Sequence, residues 1–293
     1  MKINFIPEEH FLAYLSEIID LALKEDIGSG DHTTLSCIKP DSVSKVQLLV
    51  KDEGIIAGVD LAEIILQKLD PKIQFEKIIE DGEKVKYGDV VFRATGKTRA
   101  LLTGERTVLN FMQRLSGIST KTYQFVSKLK TTNCKLLDTR KTTPGLRLLE
   151  KWAVSIGGGY NHRIGLYDMI LIKDNHIDSS GGITNAVNSV KQYLKLNHLD
   201  LKIEVEIRNF QELEELLTLP GIDRVLIDNF NPENLSKAVK MIGKKIETEA
   251  SGKIDESNII AYAETGVDYL SSGSLTYSVR ALDLSLKIIT PDR

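Results

Sequence analysis

Residues 138–176 read DTRKTTPGLRLLEKWAVSIGGGYNHRIGLYDMILIKDNH, which gathers Arg140, Lys141, Arg147, Lys151, Arg163 and Lys173 with His162 and His176 in one stretch. Apolar residues are interleaved with these cations, so the cations fall at the ends of buried elements and not along a basic tail. Convergence of Arg140, Lys141, His162, Arg163 and Lys173 would suit a small ligand carrying several negative charges. A set of surface ion pairs with Asp138, Glu150, Asp168 and Asp174 is the competing reading. Gly157, Gly158 and Gly159 favour the anion site, because side-chain-free backbone beside cations admits a close-fitting ligand.

Downstream, Glu206 and Asp228 offer carboxylates that can hold Mg²⁺ through water, accept sugar hydroxyls, or stabilise a developing cation. Ser251 with Gly252 and Ser272 with Gly273 repeat one Ser-Gly pair. Each alone reads as a tight turn; together they suggest a phosphate held by backbone N–H groups and small hydroxyls. No histidine–cysteine cluster points to zinc, so a hard cation bound largely through substrate phosphates is expected.

Regular alternation must position these groups. Strand-like runs occur at 135–138, 169–173, 203–206, 225–228, 246–250 and 269–271. Helical stretches lie between them at 146–156, 183–196, 210–217, 232–242 and 255–263. Each run is apolar through its middle and finishes on a functional group: Asp138, Lys173, Glu206, Asp228, Glu249 with Ser251, and Ser271 with Ser272. In parallel barrels the carboxyl ends of the strands carry the active site. Six βα units are too few for a closed eight-fold barrel, so the choice lies between an incomplete α/β barrel and an open doubly wound sheet.

Before this region come an amphipathic helix after Pro7, short strands at 45–50 and 54–57, and a helix through Leu61, Ile64, Ile65 and Leu69. The segment FEKIIEDGEKVKYGDVVFRATG resembles half of a biotin- or lipoyl-carrier module but has no lysine at a hairpin tip, so a plain β-hairpin is preferred. His32, in GSGDHTT, reads as a turn hydrogen-bonder. From Ala100 the pattern is helical, with Gly117 expected to break it in two and Arg106 off the apolar stripe. The 293 residues carry a net charge of −3, which argues against a general nucleic-acid or membrane-surface binder. Cys37 and Cys134 have neither metal-ligand nor disulfide-framework spacing, no window approaches a membrane span, and no leader is evident; a reducing cytoplasm is expected.

Taken together, GDHTT, GERTVLNFMQRLSGIST, DTRKTTPGLR, GGGYNHR, IKDNH, IEVE, IDNF, EASGKI and SSGSLT resemble the quinolinate phosphoribosyltransferase family over nearly the whole chain. That resemblance implies an N-terminal α/β sandwich domain at 1–114, rejoined by 277–293, and a catalytic domain at 115–276 forming an incomplete α/β barrel of about six parallel strands. It implies a homodimer or higher oligomer with a shared active site, quinolinate and phosphoribosyl pyrophosphate as substrates, and Mg²⁺ as cofactor. Quinolinate would meet Arg140, His162, Arg163 and Lys173, with Arg106 from a neighbouring subunit. Phosphoribosyl pyrophosphate would meet Lys141, Glu206 and Asp228, its 5′-phosphate lying on Ser251, Gly252, Ser272 and Gly273. Lys173, Glu206 and Asp228 would be catalytic, and Glu206 and Asp228 would reach the metal through water.

Tyr277, Trp152 and Lys253 depart from the family pattern, where His, Tyr and Gly are expected. A phosphoribosyltransferase paralogue of altered substrate, of the kind tied to molybdate uptake, and a non-catalytic phospho-sugar sensor are the rival readings.

Overall fold

A computed structural model describes residue 3 and residues 5–289. These form two compact units: the described residues of Met1–Tyr123, Thr142–Gly158 and Leu275–Arg293 make the first, and Gln124–Lys141 with Gly159–Ser274 make the second. The chain begins with α1 (Glu8–Ile27), α2 (His32–Cys37), β1 (Val43–Val50), β2 (Gly54–Ile55), α3 (Val59–Leu69), β3 (Gln74–Lys77), β4 (Lys84–Val85), β5 (Val90–Lys97) and α4 (Thr98–Leu129). There follow β6 (Lys135–Leu137), α5 (Arg147–Ile156), β7 (Ile170–Ile172), α6 (Asp174–Ser180), α7 (Ile183–Leu196) and β8 (Ile203–Ile207). The last elements are α8 (Phe210–Leu217), β9 (Arg224–Asp228), α9 (Pro232–Ile242), β10 (Glu247–Ser251), α10 (Ile259–Ala263), β11 (Tyr269–Ser271), α11 (Ser274–Tyr277) and β12 (Leu284–Ile288).

In the first unit an antiparallel sheet runs in the order β12-β1-β5-β3. Alternate residues of β1 (Val46, Leu48, Val50) are buried together with Phe92, Ala94, Leu284 and Leu286, as the period of two along a strand requires. Helix α3 buries Leu61, Ala62, Ile65 and Leu66. Helix α4 is one continuous element of 32 residues, so Gly117 does not break it as expected. A Cβ at Gly117 would stand 2.3 Å from the Arg280 carbonyl oxygen and 2.9 Å from Val279 Cγ1. This glycine lets a later segment lie against the helix.

The units differ from the expected boundaries. Residues 142–158 belong to the first unit, because α5 buries Leu149, Trp152, Ala153 and Val154 there. Trp152 meets Phe11 edge-on at 6.0 Å, and the Tyr14 hydroxyl donates to the Gly145 carbonyl at 2.6 Å. Gly157 is also a packing residue: its Cβ would fall 2.5 Å from the Ser119 oxygen and 2.7 Å from Thr122 Cβ. It serves close approach to α4, not the anion-binding turn expected of the triple glycine.

The second unit is a six-stranded parallel sheet in the order β6-β11-β10-β9-β8-β7. From β7 to β11 the order is sequential, and α7–α8, α8–α9 and α9–α10 are neighbours in turn. A doubly wound sheet would reverse its strand order and send helices to both faces. One direction and one helical layer make this the incomplete barrel, open between β6 and β7.

Candidate active site

Strand β8 reads IEVEI and is buried along its whole length. Successive side chains point to opposite faces, so Glu204 and Glu206 share one face while Ile203, Val205 and Ile207 share the other. Pairing carries that face across the sheet: Glu204 lies beside Arg224 and Glu206 beside Leu226 on β9, and Ser251 on β10 lies beside Asp228. The polar face of the barrel therefore has two levels, a floor around Glu204, Arg224 and Glu249 and a rim at the strand ends.

At the rim, Lys173 Nζ stands 3.2 Å from Glu206 Oε2. Asp228 Oδ1 accepts from the Ser251 hydroxyl at 2.6 Å, and its Oδ2 accepts from the Asn229 amide. Gly252 turns with φ of 97°. Asn229 also has positive φ, and its N–H donates to the Ser251 carbonyl at 3.0 Å, locking the turn. Ser272 Oγ donates to the Ile254 carbonyl at 3.0 Å and lies 2.9 Å from Ser274 Oγ. Ser272 and Gly273 directly precede α11, whereas Ser251 ends β10 and Gly252 opens a loop well before α10; the two pairs are placed differently. Lys253 holds the left-handed conformation, φ 51°, which side chains resist.

A buried carboxylate braces the segment that leads into β7. Asp138 accepts from the His162 N–H at 2.8 Å and from the Asn161 amide at 2.6 Å, which fixes the loop carrying Arg163. The Arg163 guanidinium donates to the Met169 carbonyl at 3.2 Å. Asp168, a possible ion-pair partner, instead accepts the N–H groups of Ile164 and Gly165. Burial and the neighbouring Arg140 cation hold the Arg163 guanidinium below its ordinary pKa. Among the described residues Arg140 Nε is buried with no hydrogen-bond acceptor. Two guanidinium groups thus crowd one another, with a donor left to satisfy. Lys141 is exposed, as is Arg106, which lies on α4 in the first unit.

Beneath them, His162 Nε2 stands 3.0 Å from Glu204 Oε2 and 3.4 Å from Glu249 Oε2. Arg224 reaches Glu249 at 3.1 Å, and Glu204 and Glu249 are fully buried. Burial works to raise the Glu249 pKa, but His162, Ser271 and Arg224 outweigh it and keep this carboxylate ionised. Burial and the charge of Glu249 push Glu204 up to about 7. Burial works against charge on His162, yet the two carboxylates push it up to about 9. His162 and Glu204 therefore hold protons as one unit. The Arg163 N–H donates to His162 Nδ1 at 2.7 Å and needs a lone pair there. The ring is thus assigned neutral with its hydrogen on Nε2, and Glu204 carries the proton drawn in.

Sequence and fold comparisons agree with this geometry. The family model for the quinolinate phosphoribosyl transferase C-terminal domain matches residues 118–287, and that for the N-terminal domain matches residues 31–116. The chain belongs to the quinolinate phosphoribosyltransferase family. It is 44% identical to quinolinate phosphoribosyltransferase [decarboxylating] 1b of Nicotiana tabacum, over 97% of this chain and 85% of that protein. It is 42% identical to the probable nicotinate-nucleotide pyrophosphorylase [carboxylating] of Bacillus subtilis, over 94% of this chain and 93% of that one. Among solved structures, the nicotinate-nucleotide pyrophosphorylase from Francisella tularensis superposes with a TM-score of 0.89 at 40% identity, covering 99% of each chain.

Within this family member, sequence reasoning missed Glu204 and Arg224, and it noticed Glu249 only as a strand end. The usable signal was polar–apolar alternation inside IEVEI and ETEAS, which marks a polar barrel interior.

Proposed function

We propose that the chain transfers the phosphoribosyl group of phosphoribosyl pyrophosphate to the ring nitrogen of quinolinate, with loss of one carboxylate as CO₂, giving nicotinate mononucleotide and pyrophosphate for NAD biosynthesis. The observation that carries this reading is the Arg140–Arg163 pair: two crowded cations, one with a buried unmet donor. Such an arrangement favours a dianion, which relieves the mutual repulsion on binding. With both ring carboxylates gripped there, the pyridine nitrogen is aimed at the sugar carbon, and fixed orientation supplies much of the rate. Glu206 and Asp228, at the ends of adjacent strands, face the positive charge that grows on the ribose as pyrophosphate departs. After transfer, the ring nitrogen is cationic and takes up the electron pair left when the adjacent carboxylate breaks away as CO₂.

Glu206 and Asp228 are hard oxygen donors that fit Mg²⁺ held mainly by substrate phosphates and water. The ion would neutralise the departing pyrophosphate. Lys141, Ser251, Gly252, Ser272 and Gly273 would bind the phosphates. Arg106, exposed on α4, would complete the pocket of a second copy in a homodimer; mixing inactive Arg106→Ala and Lys173→Ala chains should then restore part of the activity. No described helix is long and apolar enough to cross a membrane, and with free Cys37 and Cys134 a cytoplasmic setting fits. The test is calorimetric binding of quinolinate against nicotinate. Quinolinate should bind at least ~10-fold more tightly, one charge-assisted contact being worth about 1.5–3 kcal/mol; equal binding would reject the dianion pocket.

A further inference from the structure

Resting on that reading, we propose that His162 is a positioning residue and not a ligand of quinolinate: Glu204 and Glu249, braced by Arg224, hold its ring so that Nδ1 fixes the backbone of Arg163. Both ring nitrogens are already engaged inside the protein. Nε2 faces the two carboxylates at 3.0 and 3.4 Å, and Nδ1 accepts the Arg163 N–H at 2.7 Å. A ring held at both nitrogens has no N–H left for a substrate carboxylate. The residue is also sunk beneath the surface, only 8% exposed.

The supporting groups form a chain that ends at Arg163. Arg224 contacts Glu247 at 3.0 Å and Glu249 at 3.1 Å, and its guanidinium stacks over Tyr269 at 4.1 Å, so Glu249 cannot swing away. Apart from the ion-pair contact with His162, the Glu204 oxygens are buried without a hydrogen-bond donor among the described residues. The imidazole is thus the group for which this carboxylate is kept. Asp138 holds the same loop from the other side through the His162 N–H. With Nδ1 and Asp138 gripping two consecutive N–H groups, Arg163 leaves the loop in one direction, and its guanidinium is steadied by the Met169 carbonyl. The His162, Glu204 and Glu249 donor atoms lie within 4.8 Å of one another, a spacing that also suits a cation. Arg224 already supplies the positive charge there.

Two measurements test this. First, ¹⁵N side-chain spectra of the wild-type protein, with His162 assigned by His162→Asn, should show Nε2 protonated and Nδ1 bare, unchanged by saturating quinolinate. A doubly protonated ring, or protonation of Nδ1 when quinolinate is added, would overturn the proposal. Second, quinolinate dissociation constants should follow a cycle. His162→Ala should weaken binding about tenfold, yet less than about twofold when Arg163 is already Ala, since coupled residues are not additive. His162→Asn, whose Oδ1 can accept the Arg163 N–H, should recover most of the loss although it carries no charge. Independent losses, or an Asn variant as weak as Ala, would contradict the positioning role. Should the alanine variant fail to fold, Glu204→Gln serves: it should raise the KM for quinolinate severalfold and leave that for phosphoribosyl pyrophosphate unchanged, and equal changes in both would count against the inference. The spectrum of the free protein is read without turnover, so failure of the activity itself would be seen separately.

Discussion

Gly252 lies against Asn229 with no room for a side chain: a Cβ there would stand 2.2 Å from Asn229 Oδ1 and 2.9 Å from its backbone nitrogen. Because Asn229 also bonds Asp228 and the Ser251 carbonyl, the turn, the carboxylate and the hydroxyl form one piece. Gly252→Ala must push Asn229 aside and adopt a φ that side chains resist. The KM for phosphoribosyl pyrophosphate should rise at least ~10-fold, as small misplacements at a reacting site are costly, with quinolinate affinity nearly unchanged. Steady-state kinetics and calorimetry check both parts.

Gly117→Ala should damage stability and not chemistry. The obstacle is a backbone carbonyl, that of Arg280, 2.3 Å from the added carbon, which cannot rotate away as a side-chain end would. Overpacking of this kind costs about 1–3 kcal/mol or more. Denaturant unfolding should show a lower midpoint for the first unit, while turnover per folded molecule stays near wild type.

Arg140→Ala and Arg163→Ala should each raise the KM for quinolinate at least ~10-fold, from loss of charge-assisted hydrogen bonds worth about 1.5–3 kcal/mol. One consequence is less obvious. Burial and then the Arg140 charge depress the Arg163 pKa; removing Arg140 lifts the second of these, so Arg140→Ala should leave the free protein as stable as wild type or slightly more so. Thermal unfolding without ligand checks this.

Stability should fall on the alkaline side because of the buried His162–Glu204 unit. Glu204 carries the proton there, and burial with the charge of Glu249 moves it from 4.5 to about 7 when folded. A raised value means that the folded form binds the proton more tightly. The contribution is therefore complete below about 4.5 and is lost as pH climbs through about 7. Thermal midpoints should decline across that window, and Glu204→Gln, which has no proton to lose, should flatten the decline.

Much of the barrel was legible because its period is regular. The six strands and the helices 183–196, 210–217 and 232–242 announce themselves by apolar spacing that switches between two and 3.6 residues. Helix α6 was not foreseen: DNHIDSS has no apolar stripe, and its start is secured by the His176 ring accepting the Lys173 N–H at 2.9 Å. Gly117 was read as a local breaker although its reason lies in residues 279–281, far along the chain, which no local pattern reveals. The rim residues could be found by looking where strands end. For the floor, alternation in IEVEI and ETEAS marks polar residues inside the barrel, but that Glu204, Arg224 and Glu249 meet there follows only from strand register.

The central claim is tested most directly by turnover of the purified protein with quinolinate, phosphoribosyl pyrophosphate and Mg²⁺, following CO₂ and nicotinate mononucleotide together and using nicotinate as the control substrate. Equal amounts of both products, with nicotinate inert, are the predicted result. Nucleotide formed from nicotinate, or no product from quinolinate, would contradict the account.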